Sequence, residues 1–343
     1  MRQLLNTLYV TTDGAYVRQD HESVRVEIDG QTKLDVPSHH LGAIVCFGNV
    51  LVSPGLIQRC ATEGRALTFL DRGGRFVGRV QGPVAGNVLL RIAQYKASEQ
   101  AETALALARG FVAGKLQNAR QVVMRSAREA DDPGDGLTLK DAAQVLAHAI
   151  MRLEQVQDLD ELRGVEGSAA RAYFAAFSQM IRVDRSAFAM DGRSRRPPQD
   201  RINALLSFLY TLITSDCVSA AEGVGLDPQV GFLHTLRPGR PALALDLVEE
   251  LRPVLGDRLA LTLINLRRIQ PSDFEVRAGG AVLLSDSGRK TVLQAYQQRK
   301  QDEVYHPVLD TQVPLGLVPH MQARLLARSL RGEMEAYIPF LYR

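Results

Sequence analysis

Up to Val84 apolar and polar residues alternate in short runs, and from Asn87 onward apolar residues return every three or four positions. That change of period separates a strand regime from a helical one. In the first, residues 4–10, 16–18, 24–28 and 43–47 are short β-rich runs separated by Asp-Gly and Pro-Ser punctuation, which predicts strands. Ala66–Leu70 and Phe76–Val80 bracket Asp71-Arg72-Gly73-Gly74, a hairpin signal, and Pro54–Glu63 reads as one short helix between strands.

In the second regime, residues 88–95, 99–113, 116–130, 139–147 and 150–162 suit amphipathic or buried helices, with Asp131-Asp132-Pro133-Gly134-Asp135-Gly136 as a loop among them. Further helices are predicted over residues 168–180, 200–215, 243–254 and 288–300, and a small hairpin over 274–284 around Ala278-Gly279-Gly280. Beyond Asp310 a tail bearing Pro314, Pro319 and Pro339 either crosses to another subunit or folds back. The expected fold class is α+β: a small β-rich domain over residues 1–85, then a larger helical domain over 86–343.

The totals narrow the class rather than the function. The chain has 343 residues, enough for about two domains with real cores, and 45% hydrophobic and 23% charged residues, ordinary for a globular protein. A net charge of +3 permits nucleic acid as a partner without demanding it. The arginine clusters say more: Arg193, Arg195, Arg196 and Arg201 crowd Pro197-Pro198, and Arg289-Lys290 and Arg299-Lys300 follow later. Three cysteines, Cys46, Cys60 and Cys217, form no CxxC pair, which argues against a zinc site or a disulfide framework and fits a reducing cytoplasm. No signal-peptide pattern opens the chain, and no apolar stretch approaches the ~20 residues that span a bilayer, so no membrane role is expected.

Candidate chemistry concentrates in GFLHTLRPGRPALALDLVEELRP. Asp246 and Glu249 stand three apart on a predicted helix, so their carboxylates share one ridge, and His234 precedes the Pro238-Gly239 turn that can fold its imidazole back towards them. Glu166, between Gly164 and Gly167 at an apparent helix start, is a further acidic candidate. Each residue alone has an ordinary explanation: a solvated helix face, a packed histidine, or a carboxylate complementing a helix N-terminus. Together they offer oxygen and nitrogen donors suited to Mn²⁺ or Mg²⁺ rather than Ca²⁺, with Asp246 either ligating or orienting His234. A cation so held serves phosphodiester chemistry.

Four ordered motifs, RGVEGSAARAYF, RRPPQDRINALLSFLYTLI, GFLHTLRPGRPALALDLVEELRP and QPSDF, together with GRFVGRVQGPVAGNVLLRIAQY at the domain junction, resemble the CRISPR-associated integrase of spacer acquisition, the CRISPR-associated protein one family. The resemblance covers almost the whole chain, and its wording is closest to members from type I systems, subtype C. It implies an N-terminal β-sandwich that dimerises and an all-α catalytic domain. It implies Glu166, His234 and Glu249 as metal ligands with Asp246 close by, although many members carry Asp at the position of Glu249. Asn203 and Tyr210 match NALLSFLY, and Tyr210 is a candidate neighbour of the scissile phosphate, with core packing as the equal alternative. Arg193, Arg195, Arg196, Arg237, Arg240, Arg289 and Lys290 are candidate phosphate contacts. The implied reaction is attack of a DNA 3′-hydroxyl on a phosphodiester, which needs no nucleotide hydrolysis and matches the lack of a GxxxxGK[ST] loop. The implied partners are double-stranded and branched DNA, a second copy of the chain, and a small ferredoxin-like subunit bridging two dimers. A non-catalytic DNA-binding scaffold and a hydrolase of small phosphate esters are the competing classes.

Overall fold

In the computed structural model, which describes residues 6–82, 88–190, 192–194 and 197–342, the chain divides into two compact units, Met1–Ala85 and Gly86–Arg343. The first carries β1 (Asn6–Val10), β2 (Tyr16–Asp20), β3 (Ser23–Ile28), β4 (Gln31–Pro37), β5 (Leu41–Phe47), β6 (Leu51–Val52), α1 (Pro54–Glu63), β7 (Ala66–Leu70) and β8 (Phe76–Val80). These strands make two four-stranded sheets, ordered β1-β5-β7-β8 and β4-β3-β2-β6. The parallel pairing of β5 with β7 requires a crossover, which α1 supplies. Ser53 caps α1 by accepting from the Leu56 N–H, and Gly64 ends it at φ 65°.

One apolar core serves both sheets. Val17 and Val24 of one, Ile44, Cys46 and Leu67 of the other, and Leu56 and Cys60 of α1 are fully buried together. Each such side chain contributes roughly 1.5–3 kcal/mol relative to exposure. Burial, with Cys60 beside it, pushes the Cys46 thiol up to about 12, so it packs as a small apolar filler. Strand β4 was hidden from the hydrophobic pattern because it is a sheet edge with almost every residue exposed. What announces it is Asp29-Gly30, whose φ values of 50° and 73° make the two-residue turn that joins Ile28 to Gln31.

The second unit carries α2 (Val88–Glu99), α3 (Ala101–Arg128), α4 (Pro133–Arg152), α5 (Leu159–Ala175), α6 (Arg201–Val224), α7 (Ala242–Leu251), α8 (Arg258–Asn265), β9 (Phe274–Val276), β10 (Val282–Leu284), α9 (Asp286–Gln301), β11 (Glu303–His306), β12 (Thr311–Pro314) and α10 (Val318–Leu330). It is therefore helical with two small hairpins rather than all-α. Helix α3 packs along α4 and α7, and α6 packs against α7 and α10. Helix α6 is long and apolar enough, by length and composition, to cross a bilayer, which the 20-residue criterion had overlooked. Its packing is that of a core helix: Leu205, Leu206, Leu209 and Ile213 are buried, and Asp216 accepts from Tyr296 at 2.8 Å and Lys300 at 2.9 Å.

Several helix limits differ from the sequence expectation, each for a local reason. The helices predicted over residues 99–113 and 116–130 form one helix, Ala101–Arg128, because Gly114 is not a break but a contact: a Cβ there would stand 2.7 Å from Pro339 Cβ and 3.0 Å from Glu250 Cβ. A helix tolerates such a glycine at a cost of about 1 kcal/mol. Pro133 opens α4 as its first residue under an Asp132 cap, so the predicted loop ends four residues early. Glu166 lies in the third turn of α5, not at its start; Asp158 is the cap, accepting from the Asp160 and Glu161 N–H groups. After Leu251 the chain widens into a π-type turn over Arg252–Asp257, where Pro253 cannot donate, before continuing as α8.

The tail folds back on its own unit. The Asn118 amide donates to Glu250 O at 2.8 Å and Phe340 O at 2.9 Å and accepts from the Tyr342 N–H at 2.8 Å. The buried Glu250 carboxyl accepts from the Tyr337 hydroxyl, the Phe340 N–H and the Gln322 amide. Burial pushes Glu250 up to about 8, against those three donors. The folded state then keeps a proton that the unfolded chain releases above 4.5, so stability falls as pH rises from about 4.5 to about 8 and is flat beyond. The expected loss is on the order of 3–5 kcal/mol, read by denaturant unfolding at pH 5 and pH 8. Glu250→Gln removes this slope; a wild-type curve that rises over the window contradicts it.

Candidate active site

Asp246, on α7, is fully buried and accepts four N–H groups. Three are backbone, from Phe232 at 2.6 Å, Leu233 at 3.1 Å and His234 at 3.0 Å, and the fourth is His234 Nδ1 at 2.7 Å. A carboxylate can only accept, so the His234 ring carries its proton on Nδ1 and turns the Nε2 lone pair outward. Arg163 steadies the same loop, gripping Leu233 O from two nitrogens at 2.8 and 3.0 Å. Gly231 makes the arrangement possible: a Cβ there would lie 2.6 Å from Asp246 Oδ2 and 2.6 Å from the Ala242 carbonyl carbon.

His234 Nε2 stands 3.6 Å from Glu249 Oε1, one turn along α7 from Asp246. Two cations also hold Glu249. The Arg252 guanidinium reaches Oε1 at 2.9 Å, and the Lys115 ammonium, from α3, reaches Oε2 at 2.7 Å. The same ammonium contacts Glu166 on α5, so Lys115 joins the two carboxylates. Burial alone would raise the Glu249 carboxyl, but Arg252, Lys115 and His234 outweigh it and hold the group well below the usual carboxylate range. Burial likewise opposes the Lys115 charge, and Glu249 and Glu166 raise it above the ordinary lysine value.

Glu166, His234, Asp246 and Glu249 thus gather at one cluster drawn from two helices and a loop. Among the described residues, however, no group of three or more His, Cys, Asp or Glu side chains already forms a cation cage. The cluster is instead built around an internal cation: both candidate carboxylates converge on the Lys115 Nζ. That convergence, with the Nε2 lone pair facing Glu249, is the fit of a donor set able to share a divalent ion.

Of the two readings of Tyr210, the structure shows the packed one. It is buried, and its hydroxyl donates to Asp257 Oδ1 at 2.5 Å, while Tyr173 donates to Asp257 Oδ2 at 2.8 Å. Its ring lies under the Arg252 guanidinium at 4.9 Å and that of Arg193 at 5.2 Å. Tyr210 therefore supports the arginine that holds Glu249, and the π-type turn brings Arg252 and Asp257 to it.

The basic candidates separate by helix face. Arg289 shares the inner face of α9 with Val292, Leu293 and Tyr296; it is buried, pairs with Asp286, and does not present itself to phosphate, a correction that follows from the 3.6-residue period. Lys290, one position on, is exposed, as is Arg237. Arg240 is half-buried, with Nη1 at 3.4 Å from Thr235 O. Arg193 is half-buried and bonded to Asn203 and Ser194 O. Arg195 and Arg196 lie outside the described residues.

Sequence reasoning missed Lys115 and Arg252. Lys115 had a signal: it shares a helix face with Phe111, Asn118 and Ala119, all buried, and a charge on such a face demands a partner. Arg252 had one too: it stands three positions after Glu249 in the predicted helix 243–254, the spacing of an i,i+3 ion pair.

Comparison with known proteins identifies the class to which this β-rich unit and helical unit belong. The family described as CRISPR associated protein Cas1 matches residues 8–298, and the chain belongs to that family. It is 57% identical over 343 residues to a CRISPR-associated endonuclease Cas1 of Moorella thermoacetica, covering 100% of both chains. In fold it is similar to a casposase bound to integration product (TM-score 0.85, 21% identity, 99% of this chain and 95% of that one). It is similar also to a chain of a Cas6-RT-Cas1–Cas2 complex (TM-score 0.83, 22% identity, 100% of this chain and 37% of that one).

Proposed function

We propose that this chain is a metal-dependent DNA endonuclease and integrase that inserts captured DNA fragments into a CRISPR array. The observation that carries the reading is the convergence of Glu166 and Glu249 on one cation beside the outward lone pair of His234. Those three residues would hold Mn²⁺ or Mg²⁺, which when bound would offset charge on the phosphodiester and lower the pKa of an attacking hydroxyl. In the reaction a DNA 3′-oxygen bonds to phosphorus as the bond to the leaving 3′-oxygen breaks, and the proton passes from one hydroxyl to the other. Asp246 keeps the imidazole in one tautomer, and Arg252, braced by Tyr210, keeps Glu249 ionised and in place. Arg237 and Lys290 offer exposed charge for phosphate.

The relative named an endonuclease, the casposase solved on its integration product, and the assembly containing Cas2 support DNA as substrate and a Cas2-type, ferredoxin-like subunit as partner. Homodimerisation through the β-rich unit, a cytoplasmic location and a type I, subtype C system complete the proposal, resting on the motif wording. Branched DNA incubated with and without Mn²⁺ tests it. Cleavage and rejoining that depend on Mn²⁺ are expected; DNA binding with neither product marks a scaffold, and turnover of small phosphate esters without DNA marks a hydrolase.

A further inference from the structure

Lys115 stands where no step of the proposed reaction requires an ammonium. Its Nζ contacts Glu166, lies 2.7 Å from Glu249 Oε2, and is almost wholly enclosed, its side chain 13% exposed. It is the joint between α3, α5 and α7 at the one place where the candidate ligands meet. We propose that Lys115 is a built-in competitor for the divalent cation: its ammonium holds Glu166 and Glu249 at a cation-sharing separation, and it must withdraw for the ion to enter. The inference rests on the metal-centre reading above and adds to it the residue that sets how readily the site loads.

Charge makes the competition unavoidable. Glu166, Asp246 and Glu249 bring three negative charges, and Lys115 and Arg252 bring two positive ones. A dication added with Lys115 in place would leave the enclosed cluster with one excess positive charge; with Lys115 withdrawn the cluster is neutral. Repulsion between an ammonium and a dication held this close is strong where water is largely excluded. Lysine suits withdrawal, since its compact charge rides on a flexible four-carbon stem, whereas Arg252 is pinned over the Tyr210 ring.

The test is the Mn²⁺ affinity of the full-length protein without DNA, measured from the electron paramagnetic resonance of free Mn²⁺, for wild type, Lys115→Met, Lys115→Gln, Lys115→Arg and Glu166→Gln. Lys115→Met or Lys115→Gln, whichever melts cooperatively, is expected to bind Mn²⁺ about tenfold or more tightly than wild type. Lys115→Arg, which keeps the charge, is expected to stay within about threefold of wild type or bind more weakly. In metal-free buffer the neutral variants melt at lower temperature than wild type and regain the difference when Mn²⁺ is added. Unchanged or weaker Mn²⁺ binding by both neutral variants, while wild-type binding still depends on Glu166, overturns the role given to Lys115. Wild-type binding indifferent to Glu166→Gln instead removes the metal-centre reading itself.

Discussion

His234→Ala is expected to lower cleavage and strand transfer on branched DNA by at least about a thousandfold while DNA affinity stays within about threefold. The imidazole is 17% exposed and bonds to Asp246, and its truncation leaves Asp246 with three backbone donors. The loss is therefore chemical rather than structural, and an unchanged melting temperature should accompany it. Glu249→Gln should match that loss but also weaken the fold. It leaves Lys115 and Arg252 with one shared anion fewer in an enclosed site, and breaking such a pairing costs about 3–5 kcal/mol. Activity of Glu249→Gln has to be read beside its melt. A His234→Ala protein that joins strands at the wild-type rate in Mn²⁺ would place the chemistry elsewhere.

Gly231→Ala is expected to be nearly as damaging to activity without touching any reacting group. The added methyl would meet the Ala242 carbonyl carbon and Asp246 Oδ2 at 2.6 Å each, one backbone and one fully bonded, so neither can yield cheaply. The loop from Phe232 to His234 must move instead, and it carries all four groups that Asp246 binds. Overpacking of this kind costs roughly 1–3 kcal/mol of stability. A displacement of about 1 Å at the imidazole should cost about a hundredfold in strand transfer. Unfolding and single-turnover joining measured on the same preparation check both; wild-type values in each would show that the loop accommodates the methyl freely.

What the sequence made legible follows from how each feature is encoded. The switch of period near Val84 exposed the two regimes, because strands of β5 and β7 and helices such as α6 bury one kind of residue at one spacing. Spacing alone also put Asp246 and Glu249 on one ridge of α7. Glycine and proline misled the helix limits: Gly114 serves a tertiary contact, Gly164 and Gly167 sit inside α5, and Pro133 begins a helix that a loop reading ended. The hairpin β11–β12 and helix α10 were missed, since scattered prolines there hid the apolar spacing of Val318, Leu325 and Leu326. In the site, the orientation of His234 by Asp246 was one of two roles left open, and only the fold chooses. The cations were harder still, because Lys115 precedes Glu166 by 51 residues and Glu249 by 134, and pairings so distant leave no local pattern.

The central claim is that Glu166, His234 and Glu249 share one divalent ion. Diffraction at the manganese absorption edge from crystals grown with Mn²⁺ tests it most directly. A single anomalous peak is predicted, within about 2.0–2.4 Å of Glu166, Glu249 and His234 Nε2. Manganese bound elsewhere, or no peak beside a His234 still turned towards Glu249, would contradict it.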